Sequence, residues 1–140
     1  APLVMQSQAD IARQYDIPEW KIEERQKAVA SKDRFEGLKR AAEAGVTIGF
    51  GTDAGSPAVG HDVVAPELAF MVEIGVKRDA YDALRSATSV AARISKLDDR
   101  LGTLEVGKLA DVVVVDGDPS DDLYALERVR MTYVDGRRHV

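Results

Sequence analysis

The sequence predicts an α/β fold with a mainly β C-terminal part, and two observations carry that prediction. A helical pattern over residues 19–44 ends at Gly45 and runs directly into the apolar residues 46–50, which is the helix-to-buried-strand step of α/β folds. After Arg100, glycines and Pro119 separate short apolar runs that are typical of strands. The chain has 140 residues, whereas a complete eight-stranded β/α barrel takes about 250 residues.

Before Gly45 the sequence predicts a short strand followed by helices. Residues 2–5 are apolar and indicate a buried strand, and residues 6–15 are compatible with a helix. Pro18 suits the first turn of the longer helix, whose apolar side chains recur roughly on one stripe. The members of this stripe are Ile22, Val29, Phe35, Leu38 and Ala42. Gly45 is well placed as the left-handed residue that ends the helix.

Three further helices are predicted after a glycine-rich loop at residues 51–60. Pro66 can start the first of them, and Gly75 ends it. Two shorter helices are expected over residues 78–87 and 89–97. The cap between these two is expected at Thr88 or Ser89.

The C-terminal part predicts strands joined by tight turns. Val112–Val115 and residues 130–134 are rich in the β-branched and aromatic residues that strands favour. Asp135 and Gly136 form a dipeptide that favours a hairpin turn, which would return the chain into residues 137–140. We therefore expect an α/β unit followed by a mainly β segment.

Composition excludes several classes of function. The net charge is −5 with no basic run, so no electrostatic footprint for nucleic acid or an anionic membrane is present. Cysteine is absent, which excludes disulfides, iron–sulfur clusters and thiolate zinc sites. The longest strongly apolar run, Val112–Val115, is far shorter than the about 20 residues that span a bilayer. With no signal sequence at the start, a cytoplasmic location is the expectation.

The loop after residues 46–50 permits a nucleotide-binding interpretation. Gly49, Gly51 and Ala54 satisfy the G-x-G-x-x-A form of a dinucleotide-binding turn. That motif needs a helix whose N-terminus faces the pyrophosphate, yet no helical pattern starts before about residue 64. An acidic residue about 20 positions on should close a second strand, but Glu73 falls within a predicted helix. These departures disfavour dinucleotide binding.

Asp53 in the same loop permits a catalytic interpretation. It follows the predicted buried strand directly and has small neighbours, and the carboxyl ends of strands in β/α folds are where catalytic groups and metal ligands gather. A carboxylate there can bind a divalent metal or accept a proton. The structural alternative is an Asp that closes an Asx-turn, and local sequence leaves both open. His61, at the far end of the loop, could contact substrate or metal, although a single loop histidine commonly does neither.

Other polar residues favour structural roles. An acidic cluster invites a calcium interpretation because Glu127 stands twelfth from Asp116. The sixth position is Asp121 where glycine is needed, and Pro119 stiffens the loop, so a solvated loop is favoured. The cluster consists of Asp116, Asp118, Asp121 and Asp122. His139 is expected to be exposed. Helix capping is the simpler role for Ser86, Thr88 and Ser89.

Taken in order, these segments resemble the C-terminal part of the metal-dependent amidohydrolase superfamily. The likeness is strongest to its imidazolonepropionase and prolidase-like branch, whose prolidase-like members are Xaa-Pro or Xaa-Arg dipeptidases. It rests on residues 44–55, on the Ala-Leu-Arg-Ser-Ala-Thr-Ser run at 83–89 with Ala-Ala-Arg at 91–93, and on residues 101–111 with 114–119. The resemblance covers essentially the whole chain.

The resemblance implies the last two β/α units of a TIM (β/α)8 barrel in residues 1–101, with residues 46–50 as strand eight and residues 2–5 in strand seven. Residues 102–140 would belong to the small composite β-sandwich. The family's Asp after strand eight binds a metal and moves the proton of the attacking hydroxide, a role that falls on Asp53. The region around His61 would lie at the substrate end of the site.

The resemblance also implies what this chain lacks. The family's His-x-His pair, its strand-four Lys or carboxylate and its later histidine ligands have no counterpart here, because only two histidines exist. A catalytic zinc typically needs three protein ligands, so we expect the isolated chain to be inactive and to bind no metal. The parent would hydrolyse an amide-type C–N bond of a dipeptide or similar small molecule with a divalent metal, most simply zinc. The alternative is a non-catalytic module of the same fold. Uncovered strand edges predict self-association, or association with the missing N-terminal portion.

Overall fold

The computed structural model describes residues 16–30, 33–55 and 60–139. These residues combine helices with one small antiparallel sheet. The helices are α1 (Glu19–Ala30), α2 (Asp33–Glu43), α3 (Val64–Glu73), α4 (Ala80–Ala87) and α5 (Ser89–Ile94). The strands are β1 (Val112–Val115), β2 (Val129–Val134) and β3 (Arg137–His139), and 3₁₀ turns occupy His61–Val63 and Leu123–Glu127. The strand predicted at residues 2–5 and the helix considered at 6–15 lie outside the described residues.

Glycine ends two of the helices as the sequence predicts. Gly45 follows α2 with a φ of +80°, a conformation that glycine adopts without penalty. Its N–H donates to the Ala42 carbonyl and the next N–H, of Val46, donates to the Ala41 carbonyl, both at 3.0 Å. This is the Schellman arrangement, which satisfies the last carbonyls of a helix. Gly75, with a φ of +75°, ends α3 in the same way.

The caps of the later helices differ in part from the prediction. Asp79 caps α4, because its carboxylate accepts from the Asp82 N–H at 2.7 Å. Thr88 occupies the N-cap position of α5 but makes no side-chain cap bond. Its hydroxyl instead donates to the Leu84 carbonyl of α4 at 2.9 Å, one of the four carbonyls that a helix end leaves without an internal partner. Thr88 therefore stands at the predicted cap position between the helices, but its side chain binds the end of α4 and does not cap α5.

Residues 46–50 are not a β-strand in the structure, contrary to the prediction. A strand exists only through a ladder with a neighbouring strand, and the described strands form a single sheet that does not include this segment. The helical layer supplies the partners instead. The Phe50 N–H donates to the Ser86 carbonyl at 2.9 Å, and the Lys77 ammonium donates to the Ile48 carbonyl at 2.7 Å.

The C-terminal strands form the sheet that the sequence predicts, in the order β1-β2-β3. Val112 pairs with Tyr133 across the first antiparallel ladder, and Val134 pairs with Arg137 across the second. Asp135 and Gly136 both have positive φ, +50° and +72°. Two consecutive positive φ values are typical of the type I′ turn, whose twist matches that of the flanking strands.

The C-terminal segment from residue 102 to residue 139, which is called the sheet segment below, packs against the helices through an apolar cluster. Leu68 of α3, Ala83 of α4 and Leu123 of the second 3₁₀ turn are buried together. Phe50 packs against the same cluster, so the segment before the Asp53 loop shares a core with the helices. α2 joins them through Phe35, whose ring meets the Phe70 ring edge-on at a centroid distance of 5.4 Å. No helix in the described part of the chain is long and apolar enough to cross a membrane.

Replacing Gly102 by alanine tests the packing of the sheet segment against α5. A β-carbon at Gly102 would lie 2.6 Å from the Ala92 β-carbon and 3.0 Å from the Ser89 α-carbon. Gly107 is a matched control, because its φ of +95° is close to the +91° of Gly102, while a β-carbon at Gly107 would have no atom within 4 Å. Since overpacking costs about 1–3 kcal/mol, urea unfolding should show Gly102→Ala less stable than Gly107→Ala by about that amount. Equal stabilities would contradict this packing.

Candidate functional site

The site begins with a tight turn at Thr52–Gly55 whose backbone is unusual at Asp53. Asp53 has a φ of +54°, a left-handed conformation that is uncommon for a residue other than glycine. The Thr52 hydroxyl closes the turn, since it accepts from the Ala54 N–H at 3.2 Å. Gly55 continues it with a φ of +95°. Residues held in such sparsely populated conformations cluster at active sites and ligand clamps.

The Asp53 carboxylate is exposed and uncommitted. No residue in the described ranges makes a hydrogen bond or an ion pair with it. Among the described residues Asp53 forms no Asx-turn, and the side-chain acceptor in this turn is the Thr52 hydroxyl. An unpaired carboxylate is an acceptor with four lone-pair sites, so Asp53 is chemically available to a metal or to a proton donor.

The structure brings His61 back towards this turn. His61 opens the 3₁₀ turn His61–Val63 and is exposed. A β-carbon built on Gly55 would lie 3.7 Å from His61 Cε1 and 3.8 Å from His61 Nε2, so the imidazole edge rests against Gly55, two residues beyond Asp53. The loop thus places an imidazole and a carboxylate beside one short turn.

The segment that carries the turn is held closely against α5. A β-carbon at Gly49 would lie 2.8 Å from Ile94 Cδ1, so only glycine fits there without displacing Ile94. Beside this contact runs an open groove of about 300 Å³. Its lining residues are Gly49, Phe50, Gly51, Ala91, Ile94 and Ser95. The groove contains no ionisable side chain, so it offers shape without catalytic or metal-binding chemistry.

Asp53 has no metal-ligand partners within the described part of the chain. No three residues of the His, Asp or Glu type come together there as a candidate metal site. His139, the second histidine, is exposed on β3 as expected. Because zinc sites use at least three protein ligands, the described residues do not by themselves form a zinc site around Asp53.

The acidic cluster at residues 116–122 is organised by arginines and a serine. Asp116 Oδ1 pairs with Arg130 Nε at 2.7 Å, and Asp122 Oδ2 pairs with Arg128 Nη2 at 3.2 Å. Arg128 Nε also donates to the Asp116 carbonyl at 3.1 Å. The arginines therefore use oxygens that a calcium ion would need, which supports the solvated-loop interpretation over an EF-hand.

Asp118 in this cluster is held by Ser120. The Ser120 hydroxyl donates to Asp118 Oδ1 at 2.6 Å, and the Ser120 N–H donates to the same oxygen at 2.8 Å. These two bonds, the hydroxyl's first, lower the pKa of the Asp118 carboxyl below its ordinary value, since both favour the ionised form.

Two residues important to the site were not predicted from the sequence. Lys77 anchors the Ile48 carbonyl, but a lysine in a polar loop gives no local signal of a contact 29 residues away. Ser86 is fully buried, its hydroxyl donates to the Ala83 carbonyl at 2.6 Å, and its own carbonyl receives the Phe50 N–H. The sequence suggested only capping for Ser86. The Ser86 carbonyl is important because it accepts from the Phe50 N–H, and a sequence pattern does not show which backbone groups come together.

Comparison with known proteins assigns most of the chain, including the turn that carries Asp53, to a protein family. A model of the amidohydrolase family matches residues 12–138. The chain belongs to the amidohydrolase family. The mixture of helices with a small antiparallel sheet is thus an α/β portion of the amidohydrolase fold, as the sequence motifs predicted.

Among the similar proteins of this family are a deaminase and two solved peptidase structures. A 5-methylthioadenosine/S-adenosylhomocysteine deaminase of Symbiobacterium thermophilum is 33% identical over 112 residues, covering 66% of this chain and 26% of that protein. A prolidase complexed with N-methylphosphonate-L-proline is 28% identical with a TM-score of 0.79, over 96% of this chain and 32% of the other. A Xaa-Pro dipeptidase with methionine bound in its active site is 33% identical with a TM-score of 0.72, over 97% and 33%.

The chain therefore spans about a quarter of the deaminase and about a third of each of the two solved structures. The rest of those proteins has no counterpart in these 140 residues.

The Asp118–Ser120 contact yields a titration test. Replacing Ser120 by alanine removes the hydroxyl bond but keeps the N–H bond, so the pKa of Asp118 should rise towards its ordinary value. Ser120→Thr retains a hydroxyl and should keep the pKa low. Carboxyl-carbon NMR titration of the three proteins measures this, and an unchanged Asp118 pKa in Ser120→Ala would contradict the hydroxyl's role.

Proposed function

We propose that this chain is part of a metal-dependent amidohydrolase that hydrolyses an amide-type C–N bond in a dipeptide or a similar small molecule. The support is the likeness to a prolidase that holds a proline derivative and to a Xaa-Pro dipeptidase that holds methionine, which extends over nearly the whole chain. The match to the deaminase covers a smaller part, 66% of the chain, and makes hydrolytic deamination the second candidate.

In the whole protein, the proposal places residues 46–50 at the eighth strand of a TIM (β/α)8 barrel, where a neighbouring strand would supply the ladder that the described chain lacks, and residues 2–5 at the seventh. Residues 1–101 would then form the last two β/α units, and residues 102–140 the C-terminal part of a composite β-sandwich. The exposure of the β1 valines supports this division, because Val113 is 54% and Val114 37% exposed. β1 consists of four valines and is an edge strand, and an exposed apolar edge strand favours pairing with a further strand. A complete sandwich would supply that strand.

Asp53 carries the catalytic part of the proposal. Its exposed carboxylate, which has no partner in residues 16–30, 33–55 and 60–139, follows the predicted strand eight, and Asp53 has a left-handed backbone conformation. The oxygen donor fits a zinc or other hard divalent ion, and Asp53 would be this chain's ligand to it. Such an ion, when bound, polarises the substrate carbonyl and lowers the pKa of water. Asp53 itself would hold and transfer a proton at its carboxylate oxygen.

His61 is proposed to contact the substrate. Its imidazole rests against Gly55 beside the Asp53 turn, and it is exposed, so it can donate or accept a hydrogen bond outside the loop. A neutral or charged imidazole there would suit a carboxylate or carbonyl of a small amide substrate.

The isolated chain is proposed to be inactive and prone to association. One carboxylate does not complete a metal centre, and uncovered strand edges and apolar faces favour contact with a second copy or with the missing N-terminal portion. Light scattering measures this directly, and a monodisperse monomer would contradict it. Neither nucleic acid nor a membrane surface is proposed as a partner, given the net charge of −5.

The test is Asp53→Asn in the whole protein that contains this chain. Asparagine keeps the shape but cannot take a proton, so kcat/KM for a panel of Xaa-Pro and Xaa-Arg dipeptides should fall by about 10²–10⁴-fold. Asp98→Asn is the matched control, because Asp98 is exposed in the turn after α5, and it should leave the rate unchanged.

Including 5-methylthioadenosine in the panel separates the candidates. Turnover of this compound without dipeptide turnover would favour the deaminase. A wild-type protein that turns over no member of the panel would favour the alternative of a non-catalytic module, and full activity in Asp53→Asn would contradict the assignment of Asp53.

A further inference from the structure

Lys77 makes the longest-range side-chain hydrogen bond found in the described ranges, 29 residues along the chain. It lies between α3 and α4 and is partly buried. Its ammonium donates to the Ile48 carbonyl at 2.7 Å. This length is in the range of charge-assisted hydrogen bonds, which are about twice as strong as neutral ones. The bond joins the loop after α3 to the segment that leads to Asp53.

The base of the Lys77 side chain is fixed by the end of α3. The backbone N–H of Lys77 donates to the Met71 carbonyl at 2.9 Å, and the backbone N–H of the preceding Val76 donates to the same carbonyl at 3.0 Å. Val76 is buried. Lys77 therefore reaches towards Ile48 from a rigid helix terminus, so its bond can restrain the segment and not merely follow its motion.

Lys77 and Ser86 both anchor the segment, through backbone groups two residues apart, which are the Ile48 carbonyl and the Phe50 N–H. Lys77 donates to the first, and the Ser86 carbonyl accepts from the second. The helical layer thus supplies one donor and one acceptor, as a neighbouring strand would.

We propose that Lys77 is a positioning residue for Asp53. Gly49 and Gly51 flank Phe50, and glycine gives the backbone wide conformational freedom. Without the hydrogen bond from Lys77 to the Ile48 carbonyl, this glycine-containing segment is held by fewer contacts. The segment then becomes more mobile, and so does the turn that carries Asp53. The inference rests on the proposed function, since positioning matters to a reaction only if Asp53 takes part in it.

The experiment compares Lys77→Met, Lys77→Arg and Lys27→Met in the whole protein. Methionine keeps an unbranched chain but cannot donate, whereas arginine keeps a donor. Lys27 is exposed on α1 and serves as the control for loss of a lysine charge. Two readouts are used, which are amide hydrogen exchange at Phe50 and the separate kcat and KM values for the dipeptide that the wild-type protein cleaves fastest.

Lys77→Met should raise the exchange rate of the Phe50 amide about tenfold, the effect expected for a lost hydrogen bond from a charged donor. It should lower kcat about tenfold while KM changes less than about twofold, since small misplacement of a catalytic group acts on the chemical step. Lys77→Arg should recover most of both effects, and Lys27→Met should match the wild type.

The outcomes separate this inference from the proposed function. If Asp53→Asn abolishes hydrolysis but Lys77→Met changes neither Phe50 exchange nor kcat, Lys77 is not a positioning residue. The same conclusion follows if kcat falls only in proportion to the folded fraction measured by circular dichroism. If Asp53→Asn is fully active, the proposed function fails, and with it the link from Lys77 to catalysis, even when Phe50 exchange is faster in Lys77→Met.

Discussion

The docking of residues 48–50 onto the helices is the contact on which the candidate site depends. This segment has no strand beside it in the described part of the chain, and its backbone is bound instead by the Ser86 carbonyl and the Lys77 ammonium. Phe50 adds apolar burial against the Leu68 cluster. Buried backbone groups left without partners are costly, and these two hydrogen bonds satisfy the Phe50 N–H and the Ile48 carbonyl. The turn that presents Asp53 begins where this docking ends.

The same apolar cluster ties the sheet to the site. Leu123 joins Leu68 and Ala83, so the 3₁₀ turn between β1 and β2 packs on the helices that hold the Asp53 segment. Gly102 brings the connecting chain onto α5 through its contact with Ala92. The sheet segment is therefore part of the same core as the helices. Its removal would expose Leu68 and weaken the helical layer against which Phe50 packs.

Local backbone structure was predictable from the sequence, whereas contacts between residues far apart in the chain were not. The left-handed glycine after α2 and the Asp135–Gly136 hairpin follow from backbone preferences within a few residues. The strand at residues 46–50 was not formed, because a parallel strand depends on neighbours that the described chain does not provide. Lys77 escaped prediction for the same reason, since its partner is distant in sequence. Asp53 could be singled out by its position, but only the structure showed that its carboxylate is exposed and has no partner among the described residues.

The described residues present the exposed Asp53 carboxylate on a segment that is docked to the helices, and the role proposed for this carboxylate is to bind a metal. The most direct measurement is anomalous X-ray scattering at the zinc edge from crystals of the whole protein grown with zinc. The expected result is a metal peak about 2.0–2.2 Å from a carboxylate oxygen of Asp53. A fully occupied zinc peak whose ligand set does not include Asp53 would contradict the assignment.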